Sequence, residues 1–549
     1  MESGGSAGTG TPGSRTAGGG PGGLSAHGAR DTAGGRGARA ALLALGTIAA
    51  LVAIDTVRGP GGPDDLGPGG SPGSGGPGSG AGPPFDPGEA AVGATAEELA
   101  AMRAVWDPAI LVRSSGEARA GVAPRQHHEF YIGAWCGPPA RSIDAGSFER
   151  FHGAGLDLSV IPLEDHYQRR DNLARLALLD TLGEAAPPRP PPIHAFVRDD
   201  SVHWDETNRP GWRERIARSV VAYRSHPSFA GYFVADEPVA AHIEHLAAVT
   251  GALHDEDSTH PAYVNFGGPA ETATSLDLAR WRSFVARTIV AGRLQLFTVD
   301  RYAFHREGED NSFLVSLANA AAVSRGLDVP FGFILQLTAH GPFVSPTPAM
   351  LRYEAMEAIA HGASGIIWFT YWSPNPAEEP HWRNGIVDYE GRPTFQYEAV
   401  RDVNAAARVL GFWLAGKPTL VAHLGGSLPP GVAAGSAVPG LRAASGGPIS
   451  IGFTAELQTE PFLLRQLLVV NRDLIRHRAV DLEFDDSVLD MQAQQYSLPG
   501  SISSMAWTPG GKLHLELEPG EGRAVLLHLR DHRKPARDAT DQKAGPIRK

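Results

Sequence analysis

The sequence predicts a (β/α)8 barrel of the TIM type followed by a small antiparallel β-sandwich-like domain. Three observations lead there. Eight short apolar runs alternate with eight helical stretches between Glu129 and Gly416, about 290 residues, which is the size such a barrel needs. The first run ends in Trp135-Cys136-Gly137-Pro138-Pro139, with no Gly-rich phosphate loop, which disfavours a doubly wound open sheet. Beyond Lys417 helical periodicity stops and short alternating runs follow, separated by Gly and Pro.

The elements follow in order. The expected strands are 130–135, 156–161, 193–197, 229–235, 262–266, 294–299, 330–337 and 365–371. They are short, apolar and flanked by helices, as parallel strands buried on both faces must be. The expected helices are 147–155, 167–182, 212–223, 239–253, 276–290, 312–324, 349–360 and 394–414. In the second of these, Leu173, Leu176, Ala177 and Leu179 share one face. The third stops at His226-Pro227. In the C-terminal part the strand signals are 467–470, 479–484, 513–517 and 524–529.

Composition bounds the function. The chain has 549 residues, 42% hydrophobic and 20% charged, which is globular. A net charge of −12 leaves no electrostatic footprint for nucleic acid. One cysteine, Cys136, excludes an intrachain disulfide and a Cys-based zinc site. Residues 1–39 are Gly-rich and expected to be disordered. Arg30, Arg36 and Arg39 precede an apolar run, so 40–57 has the order of a signal peptide or signal anchor. Residues 58–88 form a Gly/Pro/Ser linker, 89–416 the barrel, 417–530 the β-domain and 531–549 a charged tail. The expected picture is an exported domain, secreted or tethered to a membrane only through its N-terminal segment.

In a barrel of this type the loops after the strands build the active site, and residues before the strands serve stability. His127, His128 and Glu129 precede the first strand and are therefore read as solvated bottom-face residues, not a metal site. At the strand C-termini carboxylates and aromatics crowd together. The second strand gives Glu164, Asp165 and His166, and the third gives Arg198, Asp199 and Asp200, with Trp204 beyond. The fourth gives Asp236 and Glu237, and the sixth gives Asp300, Arg301 and Tyr302. The seventh gives Gln336 and His340, and the eighth gives Trp368, Tyr371 and Trp372, with Trp382 and Asp388 in the loop after it.

Paired carboxyl groups can protonate a leaving group and activate a nucleophile, and flat aromatic faces suit the C–H faces of sugar rings. The expected catalytic set is Glu237, Asp300 and Asp236. The expected substrate contacts are Trp135, Asp199, Trp204, Tyr302, Gln336, His340, Tyr371, Trp372 and Trp382. No metal or organic cofactor is called for, and the expected partner is a carbohydrate. A competing role exists for one of the pair Asp236 and Glu237: capping the next helix, with Pro238 at its first position. Strand alternation would also point these neighbours in opposite directions.

The stretch Ser225-His-Pro-Ser-Phe-Ala-Gly-Tyr-Phe-Val-Ala-Asp-Glu-Pro238 resembles the strand-four segment of (β/α)8 glycoside hydrolases, which ends in a general acid/base Glu. Tyr353 to Phe369 is similar to the passage from helix seven into strand eight of the same group, and Val299-Asp-Arg-Tyr302 to its strand-six motif. The resemblance spans roughly Phe130 to Leu529 and implies Glu237 as acid/base. Retaining members carry a nucleophilic Glu at the end of strand seven, where this chain has Gln336. A neutral amide cannot be that nucleophile. The resemblance therefore leaves Asp300, then Asp236, as the second carboxylate, or else a barrel that binds surface glycans without cleaving them.

Overall fold

The computed structural model describes residues 130–530, apart from 164–166, 185–191, 271, 307, 310–311, 415–416, 418, 429–431, 460–461, 498–500, 505–507 and 510. The expectations for 1–39, 40–57, 58–88, His127, His128, Glu129, Glu164, Asp165, His166 and 531–549 lie outside the described residues. Among the described residues no helix is long and apolar enough to cross a membrane.

Eight parallel strands close into a barrel. They are β1 (Tyr131–Ala134), β2 (Leu158–Ser159), β3 (His194–Arg198), β4 (Phe229–Asp236), β5 (Ala262–Gly267), β6 (Phe297–Asp300), β7 (Phe331–Gln336) and β8 (Gly365–Phe369). They pair in sequence order around the ring, and β8 returns to β1. A helix follows each strand: α1 (Ala145–Gly153), α2 (Arg169–Glu184), α3 (Trp212–Tyr223), α4 (Ile243–Glu256), α5 (Ser275–Gly292), α6 (Ser312–Leu327), α7 (Pro348–Ala360) and α8 (Gln396–Leu414). Local chemistry sets several helix starts. Thr274 and Asp277 cap α5 reciprocally, and Thr347 caps α7 with Pro348 at its first turn.

Alternation along each strand sorts the side chains into two cores. Ile132, Val197, Val234, Val264, Val299, Leu335 and Trp368 face outward into the helix layer, all essentially without exposure. Their neighbours face inward and meet across the barrel. Phe196 of β3 lies 4.8 Å from Tyr263 of β5, and Trp135, just beyond β1, lies 5.5 Å from Phe233 of β4. The interior is thus filled by rings, and its upper layer is Trp135, Arg198, Asn265, Asp300, Gln336 and Phe369.

The C-terminal part is a sandwich of two antiparallel sheets. One runs β9 (Thr419–Leu424), β11 (Ile449–Thr454), β13 (Phe462–Asn471), β19 (Gly522–Leu529), β15 (Val488–Ser497) and β16 (Ser501–Ser504), with β12 (Leu457–Thr459) on β13 and β17 (Thr508–Pro509) on β15. The other runs β10 (Leu441–Ser445), β14 (Arg478–Phe484) and β18 (Lys512–Leu517). Leu467 and Val469 of β13 point into the sandwich core, whereas Leu468 and Val470 join the core of the barrel. A two-residue period therefore serves two domains at once. Gly452 makes the close approach possible: a Cβ there would lie 2.3 Å from the Ala360 carbonyl oxygen of α7.

Candidate functional site

The site is built where β4, β5 and β6 end. Strand alternation alone would send Asp236 and Glu237 to opposite sides. The backbone of Glu237 instead takes a left-handed φ of 42°, and its N–H donates to the Asn265 carbonyl at 2.9 Å. A non-glycine residue rarely adopts that region, and the strain is of the order of ~1 kcal/mol. The turn brings the Glu237 carboxyl round toward Asp300. Gly267 leaves the room for it, since a Cβ there would sit 3.0 Å from Glu237 Oε1.

Asn265 organises the acids. It is fully buried beneath them. Its Oδ1 accepts from the Thr298 hydroxyl at 3.0 Å, which orients the amide. Its Nδ2 then donates to Asp236 Oδ1 at 2.9 Å and to Asp300 Oδ2 at 3.2 Å. Glu237 and Asp300 hydrogen-bond to each other through their carboxyl groups. Three carboxyls thus crowd one amide.

Desolvation dominates their acidity. Burial and the charge of Glu237 push Asp236 up to about 7, against the opposing Asn265 bond and Arg198. Asp300 is raised well above the ordinary carboxylate range by burial and by both acidic neighbours. Glu237 is raised by burial, while its bond with Asp300 and the charge of Arg301 oppose the rise. Like charges this close disfavour full ionisation of the cluster, and burial raises all three carboxyls above their ordinary range. Asp236, Glu237 and Asp300 are half-buried as residues, although Asp300 Oδ1 is itself buried and without a hydrogen-bond partner.

The capping role for Asp236 or Glu237 does not hold. A single-turn 3-10 segment, Ala240–His242, precedes α4, which begins only at Ile243. Neither segment takes its cap from an acid of the pair. Their carboxyls are therefore available to chemistry.

Aromatic residues surround the acids. Trp135 is buried against Phe233 and Phe369. Tyr302, half-buried, packs edge-on to His340 at 5.2 Å, and burial and the three acids push its hydroxyl far up. Trp382, also half-buried, stacks on His340 at 4.7 Å. Burial lowers His340 to about 4, so its ring is neutral, with Nδ1 bonded to the Thr338 carbonyl and Nε2 without a protein partner. Trp204 lies on the rim beyond β3, stacked on His242 at 4.0 Å.

Four expected substrate contacts are corrected by the structure. Gln336 is fully buried: its Nε2 donates to the carbonyls of Phe304 and Val344, and its Oε1 accepts from Phe304 N–H. It fastens two loops, and both of its N–H donors are spent in doing so. Asp199 is buried, bound by Arg169, Tyr223 and the Ser201 N–H. Tyr371 is enclosed against Phe151. Trp372 is enclosed too, its indole N–H donating to the Tyr389 carbonyl. Two members of the site were not singled out from sequence: Asn265 as the shared donor and Thr298 as its orienter. Both sit at inward positions of their strands, a signal that alternation offers once the strand ends are placed.

Among the described residues, no group of three or more His, Cys, Asp or Glu is arranged to hold a metal ion. No family model matches the chain. No curated protein matches it either. Solved structures do. A β-galactosidase from Bacillus circulans sp. alkalophilus is 10% identical with a TM-score of 0.44, over 74% of this chain and 99% of that one. A glycoside hydrolase family 5 protein from Bacteroides vulgatus is 10% identical with a TM-score of 0.44, over 73% and 89%. A cold-adapted β-galactosidase from Rahnella sp. R3 is 12% identical with a TM-score of 0.40, over 53% of this chain and 58% of that one. The chain spans just over half the length of the Rahnella enzyme.

Proposed function

We propose that this protein is a glycoside hydrolase that acts on an oligo- or polysaccharide outside the cytoplasm. The observation that carries the reading is the cluster of Asp236, Glu237 and Asp300 where β4 and β6 end, all three carboxyls raised above their ordinary range by burial. A carboxyl group that stays protonated near neutral pH can give its proton to a leaving oxygen.

The direct bond between Glu237 and Asp300 is closer than the two separations used across a sugar ring, about 5–5.5 Å for retention and about 6.5–9.5 Å for inversion. That pair therefore works as one acid. Glu237, turned to the mouth, protonates the glycosidic oxygen, and Asp300 replenishes the proton. Asp236 is the remaining carboxylate, ionised in part at neutral pH, and it stabilises the positive charge that develops on the sugar as the C–O bond breaks. Water then adds to the sugar carbon and gives its proton to the carboxylate that protonation of the leaving group left behind, which restores the acid. Trp382 and Trp204 supply half-exposed rings for flanking sugars. The apolar segment 40–57 supports export, in line with a polymeric substrate.

One observation favours a second reading, a glycan-binding barrel without turnover: no carboxylate stands at the end of β7, and Gln336 is spent on loops. The full-length chain assayed on aryl glycosides and oligosaccharides separates the two. Hydrolysis requires that Glu237→Gln remove turnover of poor leaving groups by roughly 100-fold or more while sparing activated aryl leaving groups, which need no acid. Azide should rescue Asp236→Ala. Oligosaccharide binding with no turnover by the wild type would establish the second reading.

A further inference from the structure

Arg198 is the odd cation of the site. It ends β3, two residues beyond Phe196 and so on the same inward face. Its guanidinium lies 4.4 Å from the centroid of Tyr167 and 5.7 Å from that of Phe233. It is half-buried, close enough to Asp236 for its charge to favour ionisation of that carboxyl, yet among the described residues it makes no hydrogen bond or ion pair through its side chain. Other part-buried arginines of the barrel are committed. Arg169 binds Asp199 at 3.0 Å, Arg215 binds Glu206 at 2.6 Å, and Arg408 pairs with Asp157.

A guanidinium held by ring faces keeps its N–H edges in the ring-free directions. It offers a planar fork of donors that matches a carboxylate in bidentate fashion. Leaving such a fork without an anion in a half-buried, aromatic-walled mouth is costly unless a ligand completes it. Among the described residues the three carboxyls nearby do not do so, because Asp236 and Asp300 are directed to Asn265 and Glu237 to Asp300.

We propose that Arg198 receives the carboxylate of an acidic sugar, so that the substrate is a uronoside or a polymer containing uronic acid. This rests on the glycosidase reading and specifies its substrate. A uronate carboxylate bound at β3 places its own ring between Arg198 and the acids at the ends of β4 and β6. The sugar's charge then meets a cation instead of the carboxyl cluster, which would otherwise repel it. A neutral sugar leaves the fork empty and gains nothing from it.

The test uses the full-length chain with matched aryl substrates, glucuronide against glucoside and galacturonide against galactoside. Calorimetric titration of Glu237→Gln with free glucuronate, galacturonate, glucose and galactose runs beside it. The expected result is a uronide preference in kcat/KM. It should fall roughly tenfold to a hundredfold in Arg198→Gln, the range for losing hydrogen bonds to a charged group. Arg198→Lys, which keeps the charge but not the fork, should fall between. The titration should show tighter binding of the uronate than of its neutral counterpart, a comparison that needs no change at Arg198. Equal binding of acid and neutral sugars, or a fall of both aryl substrates by the same factor in Arg198→Gln, overturns the proposal and leaves Arg198 as a counter-charge to Asp236. Glu237-dependent cleavage of neutral glycosides without uronide preference would sink this proposal and keep the glycosidase reading. Arg198-dependent uronate binding without cleavage of any glycoside would do the reverse.

Discussion

Glu237 and Asp300 are 63 positions apart in the chain, yet their carboxyl groups are hydrogen-bonded to each other above a single buried amide. The contact exists because Glu237 leaves the strand conformation at the last moment and Gly267 offers no side chain in its way. The contact raises Asp300 above the ordinary carboxylate range and couples its ionisation to that of Glu237.

Asn265 is a positioning residue, and its removal should show in the pH profile. Its Nδ2 stabilises the charged forms of Asp236 and Asp300, so losing it raises both. In Asn265→Ala the acid-side limb of the kcat/KM profile should move to higher pH by about one unit. Turnover at the optimum should fall by roughly tenfold or more, as for a displaced catalytic group. An unchanged profile with reduced kcat would assign Asn265 a packing role only.

Asp236 should make the fold less stable as pH rises. Its folded value of about 7 exceeds the ordinary carboxylate value of about 3.9, so the native state holds the proton more tightly than the unfolded chain. The contribution is complete below about pH 4 and is lost as pH climbs through about 7. Asp236→Asn removes this dependence. The stability difference between variant and wild type, followed by calorimetry, should grow in the variant's favour from pH 4 to 7, by at most about 4 kcal/mol.

Gln336→Glu should not create the missing nucleophile. The change removes the donor that serves the Phe304 and Val344 carbonyls and buries an acid in their place. Denaturant midpoints should report a loss of about 2–5 kcal/mol, the cost of buried groups left without partners. Intact-mass measurement after incubation with a fluorinated sugar should find no adduct on residue 336.

Gly452→Val should weaken the joint between barrel and sandwich. The added Cβ would meet the Ala360 backbone at 2.3 Å, and a strand in mid-sheet cannot easily retreat. Chemical denaturation should show a loss of about 1–3 kcal/mol, as for other overpacked sites. Wild-type stability would mean that the sheet shifts at no cost.

Much of this molecule was legible in the chain. Runs such as Phe229–Ala235 and Gly365–Phe369 carry no charged residue, so strands buried on both faces suit them, and the barrel follows. The C-terminal strands β9, β10 and β11 were not foreseen, because Gly425, Gly426, Gly435, Gly440, Gly446 and Gly447 break up that stretch and mask its alternation. At the site, residue type and strand end located Asp236, Glu237 and Asp300. What residue type could not reveal is which polar groups are already satisfied. Asp199 and Gln336 look as available as Asp300 in a string of letters, but distant partners, Arg169 for one and Phe304 for the other, consume their bonds. Tyr371, expected at the end of the eighth strand, and Trp372, expected in the loop after it, were read as substrate contacts and are instead folded inward.

The helix α7 shows what the tight joint means. From Leu351 to Ala360 all its residues are buried except Arg352, whose guanidinium donates to the Pro519 carbonyl. One side is covered by the barrel strands and the other by the sandwich. Barrel helices ordinarily keep a wet flank; from Leu351 onward this one keeps only Arg352 partly exposed, so it behaves as the spine of a single fused body. Recombination that traded the C-terminal module for another would strip that spine bare and expose the apolar face of α7 to water.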